Sequence, residues 1–279
     1  MDERIVLQQN LKTTKIPARR SSALNRIVAI ARNAFREAVR DRVLYNLVLF
    51  VLLVTASAIF LGELTDGHEA RTIVNLGLSA MLVFGAFISI FVGVSLVSKE
   101  IEKRTVFAIF SKPVGRGEFV VGKYLGLCLT LLVNVLVMGA GVSLALLYVG
   151  GGNLAISIWG AIFLIYLELC ILTAVAILFS SFSSPALSAL LTFFIFVIGH
   201  SSASLRDFAA NLGSTSARIF FDAIYYLLPN FSLFGFITNA AHGDEPPAAL
   251  LGGAVLYTFC YVAVLLAATV LIFSRRNFK

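Results

Sequence analysis

Residues 154–179, LAISIWGAIFLIYLELCILTAVAILF, form a long apolar run in which Glu168 is the only charged residue. An apolar run of this length forms a helix that can cross ~30 Å of hydrocarbon. The whole chain shares this character, since 59% of its 279 residues are hydrophobic and only 13% are charged. Soluble domains carry roughly 25% charged residues, so the composition excludes a water-soluble globule. Long unbroken apolar runs also exclude a transmembrane barrel, whose segments are short and alternate in polarity.

Six apolar runs are near the length that spans a membrane: residues 43–62, 73–97, 124–149, 154–179, 185–201 and 248–273. Ten of the 22 Lys and Arg residues precede the first run, six lie between the second and third, and three follow the last. The positive-inside rule places these basic segments in the cytoplasm. We therefore expect an all-α, six-span protein of the inner cell membrane with both termini cytoplasmic.

The remaining segments complete the expected domain organisation. Residues 1–23 read as a flexible cytoplasmic tail, residues 43–273 as the transmembrane domain, and residues 274–279 as a second short tail. Within that domain, residues 202–247 are too apolar for a plain loop, and a Pro229-Asn230 break divides their helical pattern. We expect this external region to form short re-entrant helices that dip into the outer leaflet before the last span.

Residues 24–42 have the pattern of an amphipathic helix. Apolar residues, Phe35 among them, recur at helical spacing, while Arg32, Arg36 and Arg40 line another face. Such a helix lies parallel to the bilayer surface, where each basic residue contributes about 1 kcal/mol of attraction to anionic lipid. A cytosolic protein partner docking on the same helix is the alternative that the pattern leaves open.

The most informative loop is residues 98–123, SKEIEKRTVFAIFSKPVGRGEFVVGK. Its chemistry predicts a short helix that Glu100 and Glu102 open, where the helix dipole favours negative charge, and that Pro113 stops. Glycines on both sides of Arg116 allow a sharp turn, and Lys123 stands where a basic side chain can snorkel to the membrane surface. The helix has a narrow apolar face that needs something to press against.

In its order of Glu, Glu, Thr, apolar helix, Lys-Pro-Val, Arg and Gly-Lys, this loop resembles the first cytoplasmic loop of ABC-2 family permeases. One departure is Arg104, where many relatives are expected to have Gly. The resemblance implies a coupling helix that seats on a separate ATPase subunit, with two ATPase copies and a second permease copy completing a homodimeric exporter. ATP and Mg would bind the ATPase. No cofactor would bind this chain. The residues that the resemblance assigns to ATPase contact are Glu100, Glu102, Thr105, Phe107, Phe110, Pro113 and Arg116.

Glu168 is an acidic residue near the middle of the fourth span, and such residues are costly enough to indicate a functional site. We consider a role in the translocation path, with Asn134 of the third span as a hydrogen-bond partner, beside the alternative of a protonated packing residue. His200 and His242 are isolated histidines on the external side and predict no metal site. Spacing at residues 122 and 126 fits G-x-x-x-G, which favours close helix contact.

The sequence shows no complete catalytic motif. The sequence around Gly117, Gly122 and Lys123 lacks the Ser or Thr of a phosphate-binding loop, and His68-Glu69 lacks the second histidine of a zinc protease motif. We therefore expect a non-enzymatic permease that couples ATP hydrolysis on a partner to export, with no nucleic-acid binding. The alternatives are a secondary transporter driven by an ion gradient and a membrane scaffold without transport.

Overall fold

The structure is a computed structural model, and it describes residues 23–38, 69–102, 115–211 and 215–275, with positions 49–50, 53–54, 56–57 and 60. These described residues form helices and turns and include no strand. The helices are α1 (Ala23–Ala38), α2 (Glu69–Glu102), α3 (Arg116–Tyr148), α4 (Gly152–Ser180), α5 (Pro185–Asn211), α6 (Thr215–Leu227), α7 (Ile237–Ala241) and α8 (Ala248–Arg275), with a 3₁₀ turn at Phe231–Phe234. The all-α prediction is confirmed for this part of the chain.

Five helices of the described part are long and apolar enough to cross a membrane: Glu69–Ser95, Arg116–Tyr148, Gly152–Ser180, Pro185–Ser202 and Ala248–Arg275. They correspond to the second to sixth predicted spans. Most of the first run, 43–62, lies outside the described residues, so the count of six stays a prediction. Within that run, the buried Phe50 ring packs edge-on against Phe84 of α2, with 6.0 Å between the centroids.

α4 is the central helix of the bundle. In its most apolar segment 78% of the residues are buried, against 22% for α5 and 17% for α8. It packs against α2, α3, α5 and α8, because its residues are apolar on all sides. A buried polar contact joins it to α2, where the Ser89 and Thr173 hydroxyls lie 2.7 Å apart. The large exposed apolar surface of α5 and α8 faces away from this core.

The two ends of the bundle are called the loop end and the far end. The loop end holds the start of α3 and the ends of α2 and α8, and the far end holds the segment from α6 to α7. At the far end Asn230 occupies the predicted break. Its Oδ1 accepts hydrogen bonds from Ser202 Oγ at 2.8 Å and Ser232 N at 3.1 Å, and its backbone N–H donates to Tyr257 Oη at 3.0 Å. Helices on both sides of the break are confirmed, whereas their re-entry into the membrane stays a prediction.

Candidate coupling site and buried charge pair

Arg116 is the one predicted ATPase-contact residue whose side chain lies among the described residues. Thr105, Phe107, Phe110 and Pro113 fall outside them, and Glu100 and Glu102 are described only as backbone, in the last turn of α2. The prediction that these two glutamates open a separate helix is therefore wrong. The physical reason is that no Pro or Gly stands between Ser95 and Glu102, so α2 continues past its membrane-spanning segment.

The Arg116 side chain binds the end of the last span. Its Nη1 donates to the carbonyl oxygens of Phe273 at 2.9 Å and Ser274 at 2.6 Å. The last carbonyls of a helix have no partner within it, and they carry the negative end of the helix dipole. A guanidinium is well suited to this position, and it ties the start of α3 to the end of α8.

The first turn of α3 carries a second link, to α1, that the sequence did not reveal. Glu118 receives a two-pronged contact from Arg26, whose Nε lies 2.8 Å from Oε2 and whose Nη2 lies 2.6 Å from Oε1. The Gly115 backbone N–H donates to the same Oε2 at 3.1 Å. The hydrogen bond to Glu118 raises the pKa of Arg26. Arg116 and Glu118, with these partners on α8 and α1, are called the α3 anchor below.

The contact between α1 and α3 is close because both helices present small residues. A Cβ placed on Gly126 would lie 2.5 Å from the Ala31 carbonyl oxygen and 2.7 Å from the Ala34 Cβ, and one on Gly122 would lie 2.8 Å from Ile30 Cβ. The close contact predicted from the G-x-x-x-G spacing is confirmed, and its partner is the amphipathic helix. Successive contacts advance towards the C-terminus on both helices, so α1 runs parallel to the start of α3.

Lys123 corrects a further prediction. The side chain does not snorkel to the surface but is only 2% exposed, with Nζ 3.5 Å from Glu37 Oε2 of α1. It also lies over the Phe119 ring, 5.9 Å from its centroid. The reason is the packing of α1 across this part of α3, which covers the position that hydropathy alone assigns to the membrane boundary.

The basic face of α1 remains open. Arg32 and Arg36 are exposed, Phe35 is half-buried, and Arg40 lies outside the described residues. The apolar positions are divided, since Ala34 and Ala38 are buried while Leu24 and Val28 are exposed. A helix is therefore confirmed for residues 23–38, and its place at the membrane interface stays a prediction.

Glu168 is 2% exposed and meets His200 of α5, whose Nε2 lies 3.3 Å from its Oε1. The contact is not aligned as a hydrogen bond, so Oε1 has no such bond in the structure. Asn134 is not the partner that the sequence suggested. Its Nδ2 donates to Thr130 O of its own helix at 2.7 Å, and its buried Oδ1 accepts no bond. Two spans thus each contribute one ionisable group to a pair in which Glu168 is buried and His200 is partly exposed, so His200 is not the isolated histidine that the sequence suggested.

The geometry defines a multi-pass helical membrane protein with an anchor at its loop end and no described group of three metal-ligating side chains. A model of the family described as ABC-2 family transporter protein matches residues 28–278. The chain therefore belongs to this family, whose permeases are membrane subunits and not themselves catalytic. Among the curated proteins no match is found.

Proposed function

We propose that the chain is the permease subunit of an ABC exporter, which forms the translocation path and couples ATP hydrolysis on a separate ATPase to substrate export. The family match supports the class of protein. The α3 anchor carries the coupling argument, because it includes Arg116 and directly follows the other loop residues that the resemblance assigns to ATPase contact.

The anchor converts a local push into movement of several helices. Segment 103–114 joins the end of α2 to the start of α3, and the first turn of α3 is bonded to α1 through Glu118 and to α8 through Arg116. Three helices are thus held at the point where the segment enters the bundle. A displacement of the segment moves these helices together, as a switch between two packed states requires.

The family match and the charge distribution support a wider assembly. Two permease copies and two ATPase copies form the complex, with ATP and Mg on the ATPases, and the six-span permease lies in the inner membrane with both termini inside. The exposed apolar faces of α5 and α8 support burial against lipid or the second copy. The open arginines of α1 support contact with anionic lipid. Glu168 and Asn134, both buried in the bundle, remain the candidates for the path.

Two substitutions in the loop test the coupling role: Glu102→Lys and Phe110→Ala. The permease is co-expressed with the ABC ATPase encoded nearest its gene and purified in detergent. We expect either change to release the ATPase, because truncating an interface anchor typically costs 2 kcal/mol or more. Glu245→Lys, a charge reversal at an exposed position of the far end, is the matched control. ATPase retention by both loop variants, with full ATP-dependent transport, would refute the coupling assignment.

An ion-gradient carrier is the second candidate, favoured by one observation, the Glu168–His200 pair. Ionisable groups within membrane spans occur in carriers that move protons or ions. Proteoliposomes containing the permease with and without the ATPase separate the two classes. An exporter moves substrate only with the ATPase and ATP, whereas a carrier responds to an imposed gradient alone.

A further inference from the structure

The ionisable side chains of the membrane interior are unusually few. In residues 72–95, 124–148, 152–180, 185–202 and 248–274, the only Asp, Glu, Lys, Arg or His residues are Glu168 and His200. They come from different helices. The turn at residues 181–184 reverses the chain, so each lies about 20 Å from the loop end at 1.5 Å per helical residue. The fold places them 3.3 Å apart.

The hydrogen bond on the other side of the imidazole fixes which nitrogen carries a proton. His200 Nδ1 lies 3.2 Å from the Phe196 carbonyl oxygen, four residues earlier in α5. A carbonyl oxygen only accepts hydrogen bonds, so Nδ1 carries hydrogen and Nε2 is the nitrogen that faces Glu168. Either Nε2 is protonated beside a carboxylate, or it is bare beside a carboxylic acid. In both arrangements one proton lies between the two groups and the pair is neutral.

Neutrality is what the surroundings require. Glu168 is 2% exposed, and an isolated charge of either sign in this position would be costly. The His200 ring packs against apolar rings, with centroids 4.7 Å from Phe196 and 5.7 Å from Phe231. The imidazole is 33% exposed at the surface of the single chain, so of the two groups His200 is the one that lies nearer the surface of the bundle.

The other titratable groups on elements packed against α4 and α5 are hydroxyls, thiols and more distant charges. Tyr124 and Tyr166 bond carbonyl oxygens between α3 and α4, and Tyr257 and Tyr261 bond the segment before the 3₁₀ turn. α2 and α7 contribute no titratable side chain between residues 72 and 95 or within Ile237–Ala241. The remaining ones in the spans are Cys128, Tyr148, Cys170 and Cys260. Beyond them the same elements carry Arg206 and Asp207 on α5, Arg218, Asp222, Tyr225 and Tyr226 on α6, and, towards the loop end or the helix ends, Glu69, Arg71, Lys99, Glu100 and Glu102 on α2, Arg116, Glu118 and Lys123 on α3, and Arg275 on α8.

We propose that Glu168 and His200 form a proton-binding site between α4 and α5. At neutral pH the pair holds one proton. On acidification it takes up a second proton on His200, which leaves an imidazolium beside a carboxylic acid. The contact that holds α5 against α4 at this level is then lost. The site requires neither an ATPase nor ATP, so it stands independently of the proposed function.

Spectroscopy on the purified permease in lipid nanodiscs tests this site with protons as the probe. Nitrogen NMR of ¹⁵N-labelled histidine follows His200 through a pH titration, and infrared spectroscopy follows the protonated carboxyl band of Glu168. His242 is the matched control in the same sample. Its Nδ1 lies 2.8 Å from the carbonyl oxygen four residues earlier, as in His200, but it has no carboxylate within ion-pair distance among the described residues.

We expect one proton on the pair at neutral pH and uptake of a second in acid. Where the shared proton lies on Nε2, Glu168→Gln should lower the His200 midpoint by about one pH unit or more, the size expected for loss of an opposite charge, while the His242 midpoint stays fixed. His200→Gln, read by the carboxyl band, gives the converse measurement if Glu168→Gln does not fold. The proposal is overturned if both groups are protonated or both deprotonated at neutral pH, or if His200 takes up no proton as the pH is lowered.

Discussion

The contact between α1 and α3 makes a quantitative prediction for Gly126→Ala. The added Cβ would lie 2.5 Å from the Ala31 carbonyl oxygen and 2.7 Å from the Ala34 Cβ. Ordinary contacts begin near 3.4 Å, so α1 must move away by roughly 1 Å because the obstacle is backbone. Overpacking of this kind typically costs about 1–3 kcal/mol. We expect the free energy of unfolding to fall by that amount and α1 to separate from α3.

The assay is denaturant unfolding of the purified permease, combined with cysteine cross-linking between α1 and α3. Gly252→Ala is the control, because a Cβ at Gly252, in the helix α8, would meet no atom within 4 Å. Replacing glycine by alanine inside a helix otherwise stabilises it by roughly 0.5–1 kcal/mol. The two alanine variants should therefore change stability in opposite directions. If Gly126→Ala is as stable as Gly252→Ala and cross-links normally, the close packing of α1 on α3 is wrong.

Three further predictions concern the anchor, the far end and the topology. Arg26→Glu and Glu118→Arg should each uncouple ATP hydrolysis from transport, and the double variant should restore coupling. Arg32→Glu, at an exposed position of the same helix, should have no effect on coupling. Failure of the double variant to recover coupling would contradict the role of the anchor. Asn230→Leu should lower the free energy of unfolding by about 1–3 kcal/mol, since it leaves the Ser202 and Ser232 donors without their acceptor. A thermal unfolding midpoint for this variant equal to that of the wild type would contradict the prediction. Single cysteines should be labelled from outside at Gly67, Gly152 and Gly243, and from inside at Ser22 and Lys112. Labelling of Lys112→Cys from outside would overturn the topology.

Hydropathy was sufficient to predict the five described spans, because each needs about 20 apolar residues and little else. It failed where one helix covers another. Lys123 has the sequence context of a boundary residue, yet α1 lies across it and buries it beside Glu37. The G-x-x-x-G spacing predicted close contact correctly but contained no information about which helix would fill the space.

The partner of Glu168 could not be predicted from the sequence, for a related reason. A charged residue in a span indicates that a partner exists, but the partner depends on which faces of two antiparallel helices meet. Asn134 was a reasonable polar neighbour by depth, whereas the rotation of α5 brings His200 to the carboxyl group. Arg26 was missed similarly, because it lies off the row formed by Arg32 and Arg36 and its partner is on a distant segment of the chain.

The anchor and the buried pair are joined by continuous packing, and this continuity constrains how they act on each other. From the α3 anchor, α3 reaches α4 through the Tyr124 hydroxyl, which donates to the Cys170 carbonyl oxygen at 3.4 Å, two residues from Glu168. Spatial continuity alone does not establish energetic coupling, which requires an element with two discrete arrangements that both sites bias. In the proposal made above the Glu168–His200 contact is such an element, since a second proton would break it, and α5 is among the least buried spans. If the two sites are coupled, the proton affinity of the pair must differ between nucleotide states of the complex, and by linkage external pH must then alter nucleotide affinity by the same factor.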